Sequence, residues 1–182
     1  MSTIYFAGGC FWGTEHFFKQ IDGVISTQTG FANGSESIVN PTYEQVYTDQ
    51  TGYAEAVMVV YDEAVVSLEF LVNMFFAAID PLAINRQGHD IGTRYRTGVY
   101  YTSKEQLAVI QKVFEEQQTK FTRPLAVELL PLKNYFPASE YHQDYLDKHP
   151  DGYCHLPLSL FKWAREQHRY SKNLRGQLIR YK

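Results

Sequence analysis

Two cysteines, Cys10 and Cys154, are all that this chain of 182 residues contains. No C-x-x-C occurs, which excludes a zinc ribbon and a thioredoxin-type redox motif. Such sparse cysteine fits a reducing compartment, where a permanent structural disulfide is not expected and a transient catalytic one is permitted. No apolar run approaches the ~20 residues needed to span a bilayer. An excess of positive charge is missing as well: the formal net charge of −3 gives no global reason to expect nucleic acid. The first residues carry no basic leader, and their apolar stretch is too short for a signal peptide, although Ala7-Gly8-Gly9-Cys10 loosely mimics a lipoprotein processing site. Asn33-Gly34-Ser35 has the form of a glycosylation triplet and is read more simply as a turn. Repeats, linkers and low-complexity segments are lacking. These absences predict a cytoplasmic protein folded as one domain over residues 1–182.

What the chain does have is aromatic: 14 tyrosines and 12 phenylalanines within a composition that is 45% hydrophobic. That suits an aromatic-lined pocket and a rich core equally well. The most informative stretch is Gly8-Gly9-Cys10-Phe11-Trp12-Gly13. It follows the strand-like run Ile4–Ala7 and precedes a helical pattern from Phe11 to Phe18. Glycines permit a sharp strand-to-helix turn there, leaving Cys10 at the first helical turn. Unpaired N–H groups and the helix dipole favour a thiolate at such a position. Cys10 is therefore read as a nucleophile beside an apolar wall of Phe11 and Trp12.

Along the remaining chain, Val24–Phe31 reads as a strand ending at the Asn33-Gly34 turn. Asn40-Pro41 reads as the cap and first turn of a short helix over Thr42–Thr48. Ala54–Tyr61 is a strand, and Leu68, Leu71, Val72, Phe75, Phe76 and Ile79 recur at helical spacing behind a Ser67 cap. Residues 82–96 form a long polar loop, which inside a compact domain often carries function. Gly98–Tyr101 is a strand, Thr102-x-x-Glu105 a capping box for a helix reaching about Thr119, Pro124–Pro131 a strand, and Ser139 to about Lys148 a helix. The tail 162–182 carries seven Lys or Arg against one Glu, leaving ten basic and nineteen acidic residues elsewhere. Trp163, Tyr170, Leu174, Leu178 and Tyr181 fall on one helical stripe there, as a basic helix packed on an acidic body or as a docking surface.

Four further segments carry groups that serve thiol chemistry. On a strand of period 2, Glu55 shares a face with Val57 and Val59. Were that face the buried one, Glu55 would be desolvated, its pKa would rise, and it would become a candidate general acid. Were Ala56, Met58 and Val60 the inward set, it would be a solvated surface group. Periodicity does not choose between these. Tyr43 lies early in the helix after Asn40-Pro41, and Asp90 and Tyr95 lie in the long loop. Asp151-Gly152 is a turn signal that puts Cys154 on a mobile segment, where a thiol approaching Cys10 belongs. His142, His149, Cys154 and His155 follow no zinc spacing.

Together these segments resemble peptide methionine sulfoxide reductase of the A type. Gly9-Cys10-Phe11-Trp12-Gly13 matches that family's active-site motif. Asn40-Pro41-Thr42-Tyr43-Glu44, Thr51–Val57, Asn85–Gly88, Asp90–Arg96, Tyr141–Tyr145 and Gly152-Tyr153-Cys154 match further blocks in the family's order, over roughly residues 3–156. The resemblance implies an α+β fold, a two-layer sandwich with a mixed sheet and ferredoxin-like core, in preference to the doubly wound sheet that strand–helix alternation suggests. It implies Cys10 as nucleophile, Glu55 as proton donor, and Phe11 and Trp12 as the cage for the substrate methyl group. Tyr43, Asp90 and Tyr95 would serve the sulfoxide oxygen, and Cys154 would be the resolving cysteine. The implied activity is reduction of the S epimer of free and protein-bound methionine sulfoxide, through a Cys10 sulfenic acid and a Cys10–Cys154 disulfide recycled by thioredoxin. No metal or organic cofactor is implied.

The chain departs from the pattern at Tyr53, where many members have histidine. It also departs after Cys154, where no cysteine follows and a second disulfide relay is excluded. Two rival readings use the same residues. One is a cysteine hydrolase pairing Cys10 with a histidine. The other is a non-enzymatic, aromatic-lined module for methionine-bearing peptides.

Overall fold

The computed structural model describes residues 1–171, with side chains through Gln167. A six-stranded mixed sheet carries the fold. Its strands are β1 (Ser2–Gly8), β2 (Val24–Ala32), β3 (Ala54–Tyr61), β6 (Thr97–Tyr101), β7 (Glu128–Pro131) and β8 (Tyr135–Pro137), and β4 (Arg86–Gln87) and β5 (Asp90–Ile91) form a separate hairpin. The order across the sheet is β7-β6-β1-β3-β2-β8. The β6–β7 pair is parallel and the other pairs are antiparallel. The helices are α1 (Phe11–Lys19), α2 (Tyr43–Tyr47), α3 (Leu68–Ala78), α4 (Lys104–Gln118), α5 (Tyr145–Lys148) and α6 (Leu158–Ser171). Helices packed on a mixed sheet make this an α+β protein. None of its described helices is long and apolar enough to cross a membrane.

The main core lies between the sheet and its helices. Ile4 and Phe6 of β1 and Val57 and Val59 of β3 meet Phe17 and Phe18 of α1 and Leu71, Val72 and Phe75 of α3. The Phe6 ring stacks on Phe18, centroids 4.4 Å apart. A smaller cluster of Ala7, Ala32, Ala54, Ala56 and Tyr100, with Tyr5 and Tyr135 packed on it, covers the opposite set of strand positions. The period-2 question at β3 is thereby answered. Glu55 lies on the Val57 and Val59 face and is 1% exposed.

Several element boundaries differ from expectation, each for a local reason. Thr42, not Asn40, caps α2, because Thr42 and Gln45 satisfy each other reciprocally as a capping box. Asn40 instead takes a left-handed φ of 49°, which asparagine tolerates. Ser103 caps α4 by accepting from the Gln106 N–H, while the Gln106 side chain accepts from the Thr102 N–H, one residue beyond the expected box. The region expected as one helix from Ser139 is a 3-10 turn, Glu140–His142, followed by α5, with Asp144 between them at φ 52°. The strand expected from Pro124 begins only at Glu128. The long loop holds the β4–β5 hairpin and a 3-10 turn, Thr93–Tyr95.

In the tail, α6 packs through Leu160, Phe161, Ala164 and Gln167, with Trp163 partly buried against the core. Of the expected stripe, Leu174, Leu178, Tyr181 and the Tyr170 side chain lie outside the described residues.

Candidate active site

The site forms where β1 hands over to α1. Phe6 pairs with Val57 of β3, so the chain leaves β1 near the sheet end that carries Glu55. Gly9 turns it with φ +88°, a conformation glycine adopts without a Cβ penalty. Cys10 then occupies the N-cap of α1 and is buried.

Burial changes the expected state of Cys10. The Trp12 and Gly13 backbone N–H groups of the helix start lower its pKa, although the Cys10 side chain makes no capping hydrogen bond. Desolvation, joined by the neighbouring charges of Glu55 and Asp90, outweighs them and pushes the thiol well above its ordinary value. The resting group is a thiol and not the thiolate that the helix start alone suggests.

Glu55 sits directly across. Its Oε1 accepts from the Phe11 backbone N–H at 3.1 Å, and its Oε2 is buried with no partner among the described residues. Desolvation pushes its pKa up to about 8, with the Phe11 N–H and the Arg94 charge pulling the other way. At neutral pH it is a protonated carboxyl with one buried oxygen left unpartnered among the described residues. The pKa values of Tyr43 and Tyr95 are raised as well, first by burial and then by the Glu55 charge, and Tyr95 reaches about 12. Both therefore keep their protons and remain donors.

An aromatic wall closes one side. Trp12 stacks on Tyr145 at 3.7 Å with planes 10° apart, and its Nε1–H donates to His142 Nδ1 at 3.2 Å. The His142 proton is thus on Nε2. Phe11 and Tyr43 face the same imidazole at 5.5 and 4.5 Å. Sequence reasoning singled out Phe11, Trp12 and Tyr43 but gave His142 and Tyr145 no role, although both stand in one quoted block.

The long loop is tethered to α2. Asp49 accepts from the Thr93 hydroxyl at 3.1 Å, the Arg94 N–H at 3.0 Å and the Arg94 guanidinium at 2.6 Å. That guanidinium lies over the Tyr47 and Tyr95 rings at 4.2 and 4.3 Å. Asp49 and Arg94 thereby fix Tyr95 without having been singled out. Asp90, in β5, accepts from the Tyr153 hydroxyl at 2.7 Å.

Cys154 lies over the first turn of α1. A Cβ built on Gly13 would stand 3.1 Å from its sulfur and 2.9 Å from the His155 ring. Only a residue without a side chain leaves that space. Both cysteines are free thiols. Tyr53 is buried away from this chemistry: its hydroxyl donates to the Ile38 carbonyl at 2.5 Å and accepts from Asn134 at 3.3 Å, pinning the loop after β2. The structure thus brings Cys10, Phe11, Trp12, Tyr43, Glu55, Asp90, Tyr95 and Cys154 together near the start of α1.

A family profile described as peptide methionine sulfoxide reductase matches residues 2–174. A relative of that name, MsrA of Clostridium acetobutylicum, is 53% identical over 162 residues, covering 89% of this chain and 99% of the relative. Among solved structures, reduced Mxr1 of Saccharomyces cerevisiae superposes with a TM-score of 0.80 at 40% identity, covering 84% of this chain and 88% of Mxr1. Mxr1 in complex with Trx2 is similar at a TM-score of 0.54 and 27% identity, over 79% of this chain and 84% of that one.

Proposed function

The chain belongs to the peptide methionine sulfoxide reductase family, and from that premise we propose how its residues carry the reaction. It is an A-type oxidoreductase that reduces methionine sulfoxide, free or in oxidised proteins, and is recycled by thioredoxin. The observation that carries the mechanism is the pairing of a buried thiol with a carboxyl held protonated up to about pH 8.

The S epimer enters with its methyl group against Phe11 and Trp12 and its oxygen toward Glu55, Tyr43 and Tyr95. A sulfoxide sulfur is a weak electrophile until its oxygen is protonated or strongly hydrogen-bonded. Neutral Glu55 supplies that proton, and the two tyrosines stabilise the developing charge. Asp90 joins them at the oxygen from β5, where its other carboxylate oxygen accepts from the Tyr153 hydroxyl. The Cys10 sulfur attacks the substrate sulfur and forms an S–S bond; that bond and the S–O bond then break as the hydroxyl passes to the Cys10 sulfur, methionine leaves with its sulfur lone pair restored, and Cys10 becomes a sulfenic acid. The Cys10 thiol proton replaces the one that Glu55 gave. Cys154 then condenses with the sulfenic acid, water leaves, and thioredoxin reduces the disulfide. This route uses no metal or organic cofactor. A reducing cytoplasm, where both thiols stay available, is its setting.

Strand order β6-β1-β3-β2, with α1 and α3 as the two crossovers, supports a ferredoxin-like core within a two-layer sandwich. A continuous core that draws residues from Ile4 to Ala164 supports a single catalytic domain.

A single turnover without reductant tests the mechanism. Reduced protein is mixed separately with the S and R epimers of N-acetyl-methionine sulfoxide. One equivalent of methionine from the S epimer alone, with loss of two hydrogens from the protein mass, is expected. Cys154→Ser should release the same single equivalent but lose thioredoxin-driven cycling. Release from neither epimer with both thiols intact would overturn the roles given to Cys10 and Glu55.

A further inference from the structure

One ligand atom from each of Cys10, Asp90 and His155 lies within 4.8 Å of the other two. These three reach the same point from the cap of α1, from β5 and from the segment after Cys154. Two of these side chains are held through their other polar atom. His155 Nε2 lies 3.1 Å from the Gly8 carbonyl oxygen. A carbonyl only accepts, so Nε2 carries the proton and Nδ1 keeps its lone pair. That Nδ1 is buried and has no partner among the described residues. Asp90 repeats the arrangement: Oδ1 accepts from the Tyr153 hydroxyl, while Oδ2 is buried and unpartnered. A buried acceptor left bare is costly, and here two of them stand beside a buried sulfur. Metal ligands show this pattern, with the outer atom held by a carbonyl or hydroxyl and the inner atom free.

We propose that the reduced protein binds one Zn²⁺ ion through Cys10 Sγ, Asp90 Oδ2 and His155 Nδ1, as an inhibitory ligand of the thiol. Thiolate, imidazole and carboxylate form a zinc donor set, and three protein ligands leave the fourth tetrahedral position to water. Thiolate also selects zinc over magnesium and calcium. Donors around tetrahedral zinc stand roughly 3.3–3.6 Å apart, so the site closes with shifts of about 1 Å. On binding, the Cys10 thiol proton passes to solvent, the sulfur–zinc bond forms, and no electron is transferred. The ion occupies the sulfur that must attack the sulfoxide, so zinc and substrate exclude each other. Sequence spacing conceals this set, because Cys10, Asp90 and His155 meet only through the fold. The site does not depend on any step of the reductase cycle.

The test is titration of the reduced full chain with Zn²⁺ in competition with a chromogenic chelator, repeated with Co²⁺ as a spectroscopic probe. One ion per chain is expected, with a thiolate-to-cobalt charge-transfer band and a loss of turnover that a chelator reverses. His155→Ala should weaken Zn²⁺ binding at least about tenfold, and Cys10→Ser should abolish the band. The parent chain's cobalt spectrum stands even where a variant misfolds. Zn²⁺ affinity unchanged by His155→Ala, or cobalt bound without thiolate character, would overturn the site. Either result leaves the single-turnover chemistry untouched.

Discussion

A carboxyl can donate a proton only while it is neutral, and burial holds Glu55 neutral up to about pH 8. Glu55→Gln keeps a hydrogen-bond donor but has no proton to transfer, so methionine release in a single turnover should slow about 10²-fold or more. The Glu55 charge also raises the Cys10 pKa. Above pH 8 the variant's Cys10 should therefore react faster with an alkylating reagent than the parent's. Turnover falling while thiol reactivity rises separates a lost acid from a damaged nucleophile; a fall in both would remove Glu55 from proton transfer. The same residue sets a stability slope. The folded chain holds a proton that the unfolded chain releases near the ordinary pKa of 4.5, so more protons are bound in the folded state between about pH 4.5 and 8. Stability accordingly declines as pH rises through that window. Urea unfolding at pH 5 and pH 8 should show the parent losing on the order of a few kcal/mol more than Glu55→Gln.

Helix α1 is the element on which both sulfurs meet, and Gly13 is its contact point with the segment that carries Cys154. Alanine at 13 would suit an isolated helix better by about 0.5–1 kcal/mol. Its Cβ would nevertheless crowd His155 at 2.9 Å and the Cys154 sulfur at 3.1 Å. Gly13→Ala is expected to leave methionine release nearly unchanged while slowing disulfide formation by on the order of 10²-fold, as a misplacement near 1 Å does. Trapping the sulfenic acid against time reads the two steps apart; equal slowing of both would mean that this segment also seats the substrate. The elements show how far the sequence was legible. Strong periodicity located β1, α1, β3 and α3. The caps of α2 and α4 fell one or two residues away, because neighbouring Asn, Thr and Ser all have capping side chains and only the reciprocal bonds to Gln45 and Gln106 decide among them. The Ser139–Lys148 pattern concealed the break at Asp144. The placement of Cys10 at the start of α1 was legible because its environment is local. His142, Tyr145, Tyr153 and His155 were not, because each acquires its place only by meeting Trp12, Asp90 or Gly8 from a distant part of the chain.

Across the whole molecule, the wall formed by His142 and Tyr145 must be held against a sheet edge more than a hundred residues earlier. Gln143 does this by imitating a strand. Its Oε1 accepts from the Thr29 N–H at 2.8 Å, and its Nε2 donates to the Thr29 and Ala138 carbonyls at 2.9 and 3.0 Å. On either side, the Thr29 hydroxyl donates to the His142 carbonyl and buried Glu15 of α1 accepts from the Asp144 N–H. Thr29 is fully buried and Ala138 nearly so, so Gln143→Ala leaves the Thr29 amide N–H and the Ala138 carbonyl without the Gln143 partner, while the Thr29 carbonyl keeps the Ala138 N–H at 3.0 Å. The expected loss is about 2–4 kcal/mol, from two or so unsatisfied groups at roughly 1–3 kcal/mol each. A purely structural role would stop there. The clamp also seats the imidazole that receives the Trp12 indole N–H. Under conditions where the variant is folded, KM for a methionine sulfoxide peptide should therefore rise several-fold, with a smaller change in single-turnover rate at saturation. Denaturant unfolding together with the KM and rate measurements distinguishes the cases. A destabilised variant with parental KM would show that the aromatic wall is fixed by α1 alone, and that β2 contributes stability but not recognition.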